Sequence, residues 1–342
     1  MKRILSLLAA GLTLTACGSG GVKINAAGAT FPAPLYNSWA QDYADLTGNQ
    51  INYQAVGSGA GVRQYTAGTV DFGASDAAIP DEKLPEQGVV QIPTTGGAIA
   101  VVYNEASCPE DLRLTQKQLA DIYLGNITNW SEVGCGDKGI LAVYRSDGSG
   151  TTKGFTASLS AFSEEWESEV GSGKAVSWPV GVGAKGNAGV AAQVQQVPGS
   201  IGYLNYGYVN NIRDTVNVVA LENASGEFIV PSALSASRGL AGIVLDDQLR
   251  GTDPNPAGTG AYPIVSLTWI LAYPEHPKNE EVKDFLRYIL SDEAQDKCEE
   301  LGYVPLPLET RLAALERIEG LKYDTRGLDS PYFFVYNRPC GG

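Results

Sequence analysis

Three short stretches of this chain set small residues and hydroxyls where a strand should run into a helix. They are Gly28-Ala29-Thr30-Phe31-Pro32, Gly57-Ser58-Gly59-Ala60-Gly61 and Asp147-Gly148-Ser149-Gly150-Thr151-Thr152. In the first, Thr30 is placed as a helix cap with Pro32 in the opening turn. A helix start exposes unpaired backbone N–H groups at the positive end of its dipole, which is where an oxyanion binds. A capped turn explains any one stretch alone, but three together point to a bound oxyanion. Arg145, just before the third stretch, offers forked donors to anion oxygens, and Asp147 is positioned to hold the guanidinium. A surface ion pair explains Asp147 equally well.

Asp76, in Asp71-Phe72-Gly73-Ala74-Ser75-Asp76, narrows the ligand. A carboxylate beside a bound anion repels it unless the anion brings a proton to donate. Phosphate keeps an O–H at neutral pH and sulfate does not, so Asp76 would accept from the first and reject the second. A helix cap or a turn is the other reading of Asp76. This chemistry is capture. The enzymatic rival is a secreted phosphatase with Ser58 or Ser149 as nucleophile, but the only histidine, His276, lies in a distant Pro-rich turn. No cluster suited to a metal accompanies those serines, and no cofactor is implied.

The elements that must carry these loops alternate in type, as an α/β fold requires. Strands are expected over 23–26, 51–56, 70–74, 99–103, 141–144 and 200–206, and helices over 35–43, 62–67, 153–162, 189–196 and 280–301. Leu35, Trp39 and Tyr43 recur four apart, which marks a core face rather than a binding surface. Gly181-Val182-Gly183-Ala184-Lys185-Gly186 matches the dinucleotide fingerprint by letter. It follows no clear strand, so it is read as a glycine loop at a lobe edge. Residues 207–261 carry the weakest pattern.

With 342 residues, 44% hydrophobic and 18% charged, the chain has the composition of a globular protein large enough for two lobes. Lys2 and Arg3 precede an apolar run from Ile4 to Leu14, too short to span a bilayer. Leu14-Thr15-Ala16-Cys17 resembles a lipobox, which implies a signal peptide over 1–16, lipidation of Cys17, and a tether over 17–22. An ordinary secretory signal is the alternative. Cys108, Cys135, Cys298 and Cys340 remain, and four cysteines allow three pairings. Cys108–Cys135 and Cys298–Cys340 are favoured because each pair then lies within one lobe. The formal charge of −14 argues against a nucleic-acid partner, so any anion must be held by oriented dipoles at close range.

Ala27-Gly28-Ala29-Thr30-Phe31-Pro32-Ala33-Pro34, Val70 to Asp76 and Arg145 to Thr151 together closely resemble the phosphate-binding subunit (PstS) of the high-affinity phosphate ABC transporter. Ile122 to Gly125, Trp178 to Gly181 and Gly199 to Tyr203 extend the likeness, which covers most of residues 24–206 and thins afterwards. It implies a type II periplasmic-binding-protein fold, two α/β lobes joined by a hinge with the ligand in the cleft. Lobe one is expected at 23–100 plus 262–342, and lobe two at 101–261. Ligand contacts fall on Thr30, Phe31 through its backbone, Ser58, Asp76, Arg145, Ser149, Gly150 and Thr151, with Asp147 orienting Arg145. The family commonly has two serines followed by two glycines where this chain reads Ser58-Gly59-Ala60-Gly61. The implied partners are inorganic phosphate, arsenate as a competitor, and an ABC permease. The implied location is the periplasm or the outer membrane face, reached through a lipid anchor. A phosphate sensor or storage lipoprotein without a transporter shares the same pocket.

Overall fold

The computed structural model describes residues 21–323; the expected signal segment, Cys17 and Cys340 lie outside them. The chain opens with β1 (Lys23–Gly28), α1 (Ala33–Thr47), β2 (Gln50–Ala55), α2 (Ser58–Thr66) and β3 (Phe72–Ser75). Here β1 pairs in parallel with both β2 and β3. Leu35, Trp39 and Tyr43 of α1 are buried, as their spacing demands. The 15-residue strand β4 (Val90–Asn104) follows. Next come β5 (Arg113–Leu114), α3 (Gln116–Leu124), β6 (Leu141–Arg145), α4 (Gly150–Phe162), α5 (Glu164–Glu169), β7 (Val182–Ala184), α6 (Gly186–Gln196) and β8 (Ser200–Asn205). The faintly patterned stretch 207–261 holds β9 (Asn217–Val218), β10 (Ala220–Glu222), β11 (Phe228–Ile229) and α7 (Ala233–Leu240). After β12 (Val265–Ala272) and β13 (Glu275–His276) the described chain ends with α8 (Asn279–Ile289), α9 (Asp292–Glu300), α10 (Leu308–Glu319) and β14 (Lys322–Tyr323).

One mixed sheet in the order β2-β1-β3-β12-β4-β8-β6-β7 carries the molecule. β4 is its spine. Over Val90–Ala98 it pairs with β12, and over Ile99–Asn104 with β8, both antiparallel. The strand therefore passes from one half of the sheet into the other without a loop. The carboxyl ends of β1, β2 and β6 carry the three anion loops and that of β3 carries Asp76, on the side of the sheet where open α/β folds place their ligands.

Packing runs across both halves. A large apolar cluster runs from Ile24 to Leu321, and a smaller one joins Ala100, Val102 and Val143 to Val190 and Val194 of α6 and to Val209. In the first half Gly61 presses on β1: a Cβ there would stand 2.4 Å from Gly28 Cα. That contact explains why the second glycine loop keeps a glycine at 61 while Ala60 is tolerated.

Two sequence expectations need correction. The single helix expected over 280–301 is two, because Ser291 accepts a hydrogen bond from Ala294 N and restarts the chain as α9. The Gly181–Gly186 run contains an edge strand, β7, parallel to β6, so it is not simply a glycine loop. Of the fingerprint glycines, Gly183 lies within the strand, Gly181 precedes it and Gly186 opens α6. Cys108 and Cys135 form a disulfide, but Cys298 is a free, buried thiol 3.7 Å from Thr95 Oγ1. Its favoured partner, Cys340, lies outside the described residues. Burial pushes the Cys298 thiol up to about 12, which keeps it protonated and unreactive.

The Cys108–Cys135 bond closes a span of 27 residues, and loop-closure entropy gives it about 3.5 kcal/mol. Replacing both cysteines by serine should lower the urea-unfolding free energy by that order. Equal stability of the two proteins would mean that the loop is already held by its other contacts.

Candidate anion-binding site

The site is assembled from strand ends. β6 delivers Arg145, which is 3% exposed. Asp147 grips it from two residues on, with Nε donating to Oδ1 at 2.7 Å and Nη2 to Oδ2 at 2.5 Å. Gly186 N donates to the same Oδ1 at 3.0 Å, tying the start of α6 to the pair. Burial raises the Asp147 carboxyl, but the hydrogen bond and charge of Arg145 overcome this and hold it below its ordinary value. The third face of the guanidinium is different. Nη1 is buried and finds no acceptor among the described residues, so a strong donor is aimed inward.

Asp76 follows β3 and is 5% exposed. Thr268 Oγ1, from the middle of β12, donates to its Oδ1 at 2.9 Å. The other oxygen, Oδ2, faces the Thr151 hydroxyl at 3.3 Å and the Ser58 hydroxyl at 3.5 Å. Desolvation pushes the Asp76 carboxyl up to about 6; Thr268, Arg145, Thr151 and Lys174 each pull the other way. Around neutral pH it is an ionised acceptor deep in the protein, and it becomes a donor in mild acid.

Ser58 is the first residue of α2, and its oxygen accepts from Asp76 N at 3.2 Å and Gly150 N at 3.0 Å. Ser149 caps α4 by accepting from Thr152 N at 3.0 Å. Gly150 cannot be anything larger, since a Cβ would stand 2.7 Å from both Asp76 Cβ and Ser58 Oγ. Two helix starts thus converge on one carboxylate. Thr30 is buried here as expected but does not cap α1: Pro32 takes that position without a side-chain bond. The Thr30 hydroxyl instead accepts from Asn187, by its backbone N at 3.1 Å and its amide at 2.7 Å. Phe31 is fully buried, its ring edge-on to Tyr303.

Two residues escaped sequence reasoning. Asn187 also reaches Thr151 Oγ1 at 3.2 Å, joining the first and third loops; its signal was its place just after the glycine run dismissed as a decoy. Thr268 is a lone hydroxyl in an otherwise apolar stretch, Leu267-Thr268-Trp269-Ile270-Leu271, and that interruption was the available clue.

Comparison with known proteins places this arrangement. A family model described as a PBP superfamily domain matches residues 15–293. The phosphate-binding protein PstS of Xylella fastidiosa is 42% identical over 304 residues, covering 84% of this chain and 82% of the relative. The corresponding protein of Haemophilus influenzae is 38% identical, covering 84% and 90%. The chain belongs to the PstS family. Among solved structures, the phosphate-binding protein from Stenotrophomonas maltophilia superposes with a TM-score of 0.70 at 20% identity, over 86% of this chain and 93% of that one. A putative phosphate ABC transporter substrate-binding protein from Clostridium perfringens, with bound phosphate, gives 0.63 at 22% identity, over 83% and 100%. These likenesses establish the two-lobed PstS fold for the present chain. No helix among the described residues is long and apolar enough to cross a membrane.

Asp147→Asn leaves a buried guanidinium without its counter-charge, which should cost about 3 kcal/mol of unfolding free energy at pH 7. The sign with pH follows from the lowered Asp147 carboxyl. Its stabilisation is full above the ordinary value of 3.8 and is lost as pH falls through the lower folded value. Denaturant titrations should therefore show the deficit of the variant shrinking in acid. A deficit that stays constant with pH would assign it to packing instead.

Proposed function

We propose that this protein captures inorganic phosphate between its two lobes and hands it to the permease of an ABC importer. It binds and releases its ligand and performs no chemistry on it. The single observation that carries the reading is the pairing, in one buried site, of an unsatisfied guanidinium donor (Nη1 of Arg145) with a buried carboxylate acceptor (Asp76). An anion that is also a hydrogen-bond donor satisfies both, and protonated phosphate is such an anion. Relatives that are phosphate-binding proteins and the bound phosphate of a solved neighbour support the same ligand.

In this reading Thr30, Phe31 through its N–H, Ser58, Arg145, Ser149, Gly150 and Thr151 donate to phosphate oxygens, and Asp147 orients Arg145. Asp76 Oδ2 takes the phosphate proton while Thr268 occupies Oδ1. The lobes comprise residues 23–100 with 262–342, and 101–261; the exchange of partners along β4 supports that division. Opening about the crossing segments admits phosphate, closure buries it, and the closed form docks on the permease. Arsenate, similar in shape and protonation, competes. The protein works outside the cytoplasm, held to the membrane through lipidated Cys17; the Leu14-Thr15-Ala16-Cys17 sequence supports this.

Calorimetric titration of protein freed of carried-over ligand tests the assignment. At pH 8 the wild type should bind phosphate tightly and show no response to sulfate. Asp76→Asn replaces an oxygen acceptor by an amide donor and should admit sulfate, with phosphate weakened at least tenfold. Lowering the pH of the wild type through about 6 protonates Asp76 and should bring in sulfate in the same way, whereas the variant should not respond to that change. A wild type indifferent to phosphate would sink the function. Equal binding of both anions at pH 8 would leave capture standing and remove the proton-reading role of Asp76.

A further inference from the structure

A loop that offers N–H groups to an anion must send its carbonyl oxygens elsewhere, since a carbonyl facing the ligand repels it and a buried one left unpaired is costly. The first anion loop meets this requirement by an unusual route. Its three consecutive carbonyls each accept a phenolic hydroxyl: Ala29 O from Tyr53 at 2.6 Å, Thr30 O from Tyr208 at 2.6 Å, and Phe31 O from Tyr303 at 2.7 Å. The tyrosines come from β2, from the short 3-10 turn Tyr206–Asn211 after β8, and from the segment after α9. Tyr53 stands edge-on to Tyr36 and Tyr303 edge-on to Phe31, so both are fixed in the half of the molecule that carries the loop. Tyr208 packs instead against the smaller apolar cluster of the other half. Burial pushes all three phenols well above their ordinary value, which keeps them neutral donors throughout the physiological range.

We propose that Tyr53, Tyr208 and Tyr303 are positioning residues that orient the Ala29–Phe31 loop for ligand binding, and that Tyr208 couples this orientation to lobe closure. The bonds from Tyr53 and Tyr303 lie within one half and persist when the cleft opens. The bond from Tyr208 crosses between halves and exists only when they meet. Thr30 is accordingly held twice from the far side, at its hydroxyl by Asn187 and at its carbonyl by Tyr208. The Thr30 carbonyl otherwise accepts only a long bond from Ala33 N at 3.3 Å; closure adds the short phenolic one, and the first loop then presents its full set of N–H donors. The coupling runs both ways, so an anion that orders the loop also favours the closed form. This inference rests on the phosphate-capture reading above.

The test is stopped-flow binding and release of inorganic phosphate, with thermal melts of the ligand-free protein, for wild type, Tyr53→Phe, Tyr208→Phe and Tyr303→Phe. Loss of the Tyr208 hydroxyl should speed phosphate release about tenfold. It should leave the association rate within about twofold and the ligand-free melting temperature unchanged, because the bond is absent from the open form. Tyr53→Phe and Tyr303→Phe should lower the ligand-free melting temperature and slow association, because their bonds preform the loop. Wild-type release kinetics in Tyr208→Phe would overturn the closure role. So would a Tyr208→Phe profile matching that of Tyr53→Phe. Failure of the wild type itself to bind phosphate would overturn the functional reading and this inference together; the two failures are thereby distinguished.

Discussion

Arg145 is 3% exposed, and a guanidinium at that depth persists only where its N–H groups are met and its charge is balanced. Asp147 does both for two of the three nitrogens, and Gly186 N holds Asp147 in turn. The turn after β6 and the start of α6 are thereby locked to each other. What this pair leaves unmet, the inward Nη1, sets the demand that the rest of the cleft is built around. The third glycine loop must be close enough to share an anion with it, so Gly150 sits where no Cβ fits.

Asp76 poses the opposite problem from across the cleft. Its carboxylate is buried with too little compensation, which is why it titrates near 6 rather than 3.8. Thr268 satisfies one oxygen and leaves the other beside hydroxyls that can donate to it or to a ligand. A fully compensated carboxylate would be a structural group, and an uncompensated one in a loose site would simply protonate or draw in water. In the proposed capture, a carboxylate held midway responds to whether its ligand brings a proton. The formal charge of −14 does not defeat anion capture because these contacts act over about 3 Å, well inside the roughly 8 Å screening length of physiological salt. The first loop shows the same economy, its carbonyls turned to tyrosines and its N–H groups left for the cleft.

Much of this was legible from the chain alone. Gly28 to Pro32, Gly57 to Gly61 and Asp147 to Thr152 announced strand-to-helix turns by composition, and two of the three helix starts lie where the hydroxyls are, at Ser58 and Ser149. The apolar spacing of Leu35, Trp39 and Tyr43 identified a buried face. These are local properties: a turn needs its glycine, and an amphipathic helix needs its period, whatever surrounds them. Local signals also misled. Thr30 has the look of a cap, but tertiary contact with Asn187 gives its hydroxyl a different partner.

What sequence by itself determined was the inventory: three glycine-rich loops with their hydroxyls, Arg145 and Asp76, with the order of strands and helices that must carry them. Only the tertiary structure decided their mutual distances. Asp76 and Thr268 are separated by 192 positions and Thr30 and Tyr208 by 178, and no periodicity links residues so far apart. Thr268 reaches Asp76 through the antiparallel β3–β12 pairing, in which Trp269 faces Ser75. Tyr208 follows β8, which joins the sheet where β4 exchanges partners between Ala98 and Ile99. Hydrogen bonds and charge shifts exist only at contact range. For that reason the burial of Arg145, the raised Asp76 carboxyl and the tyrosine-held carbonyls are properties of the fold, although every residue involved is in plain view in the sequence.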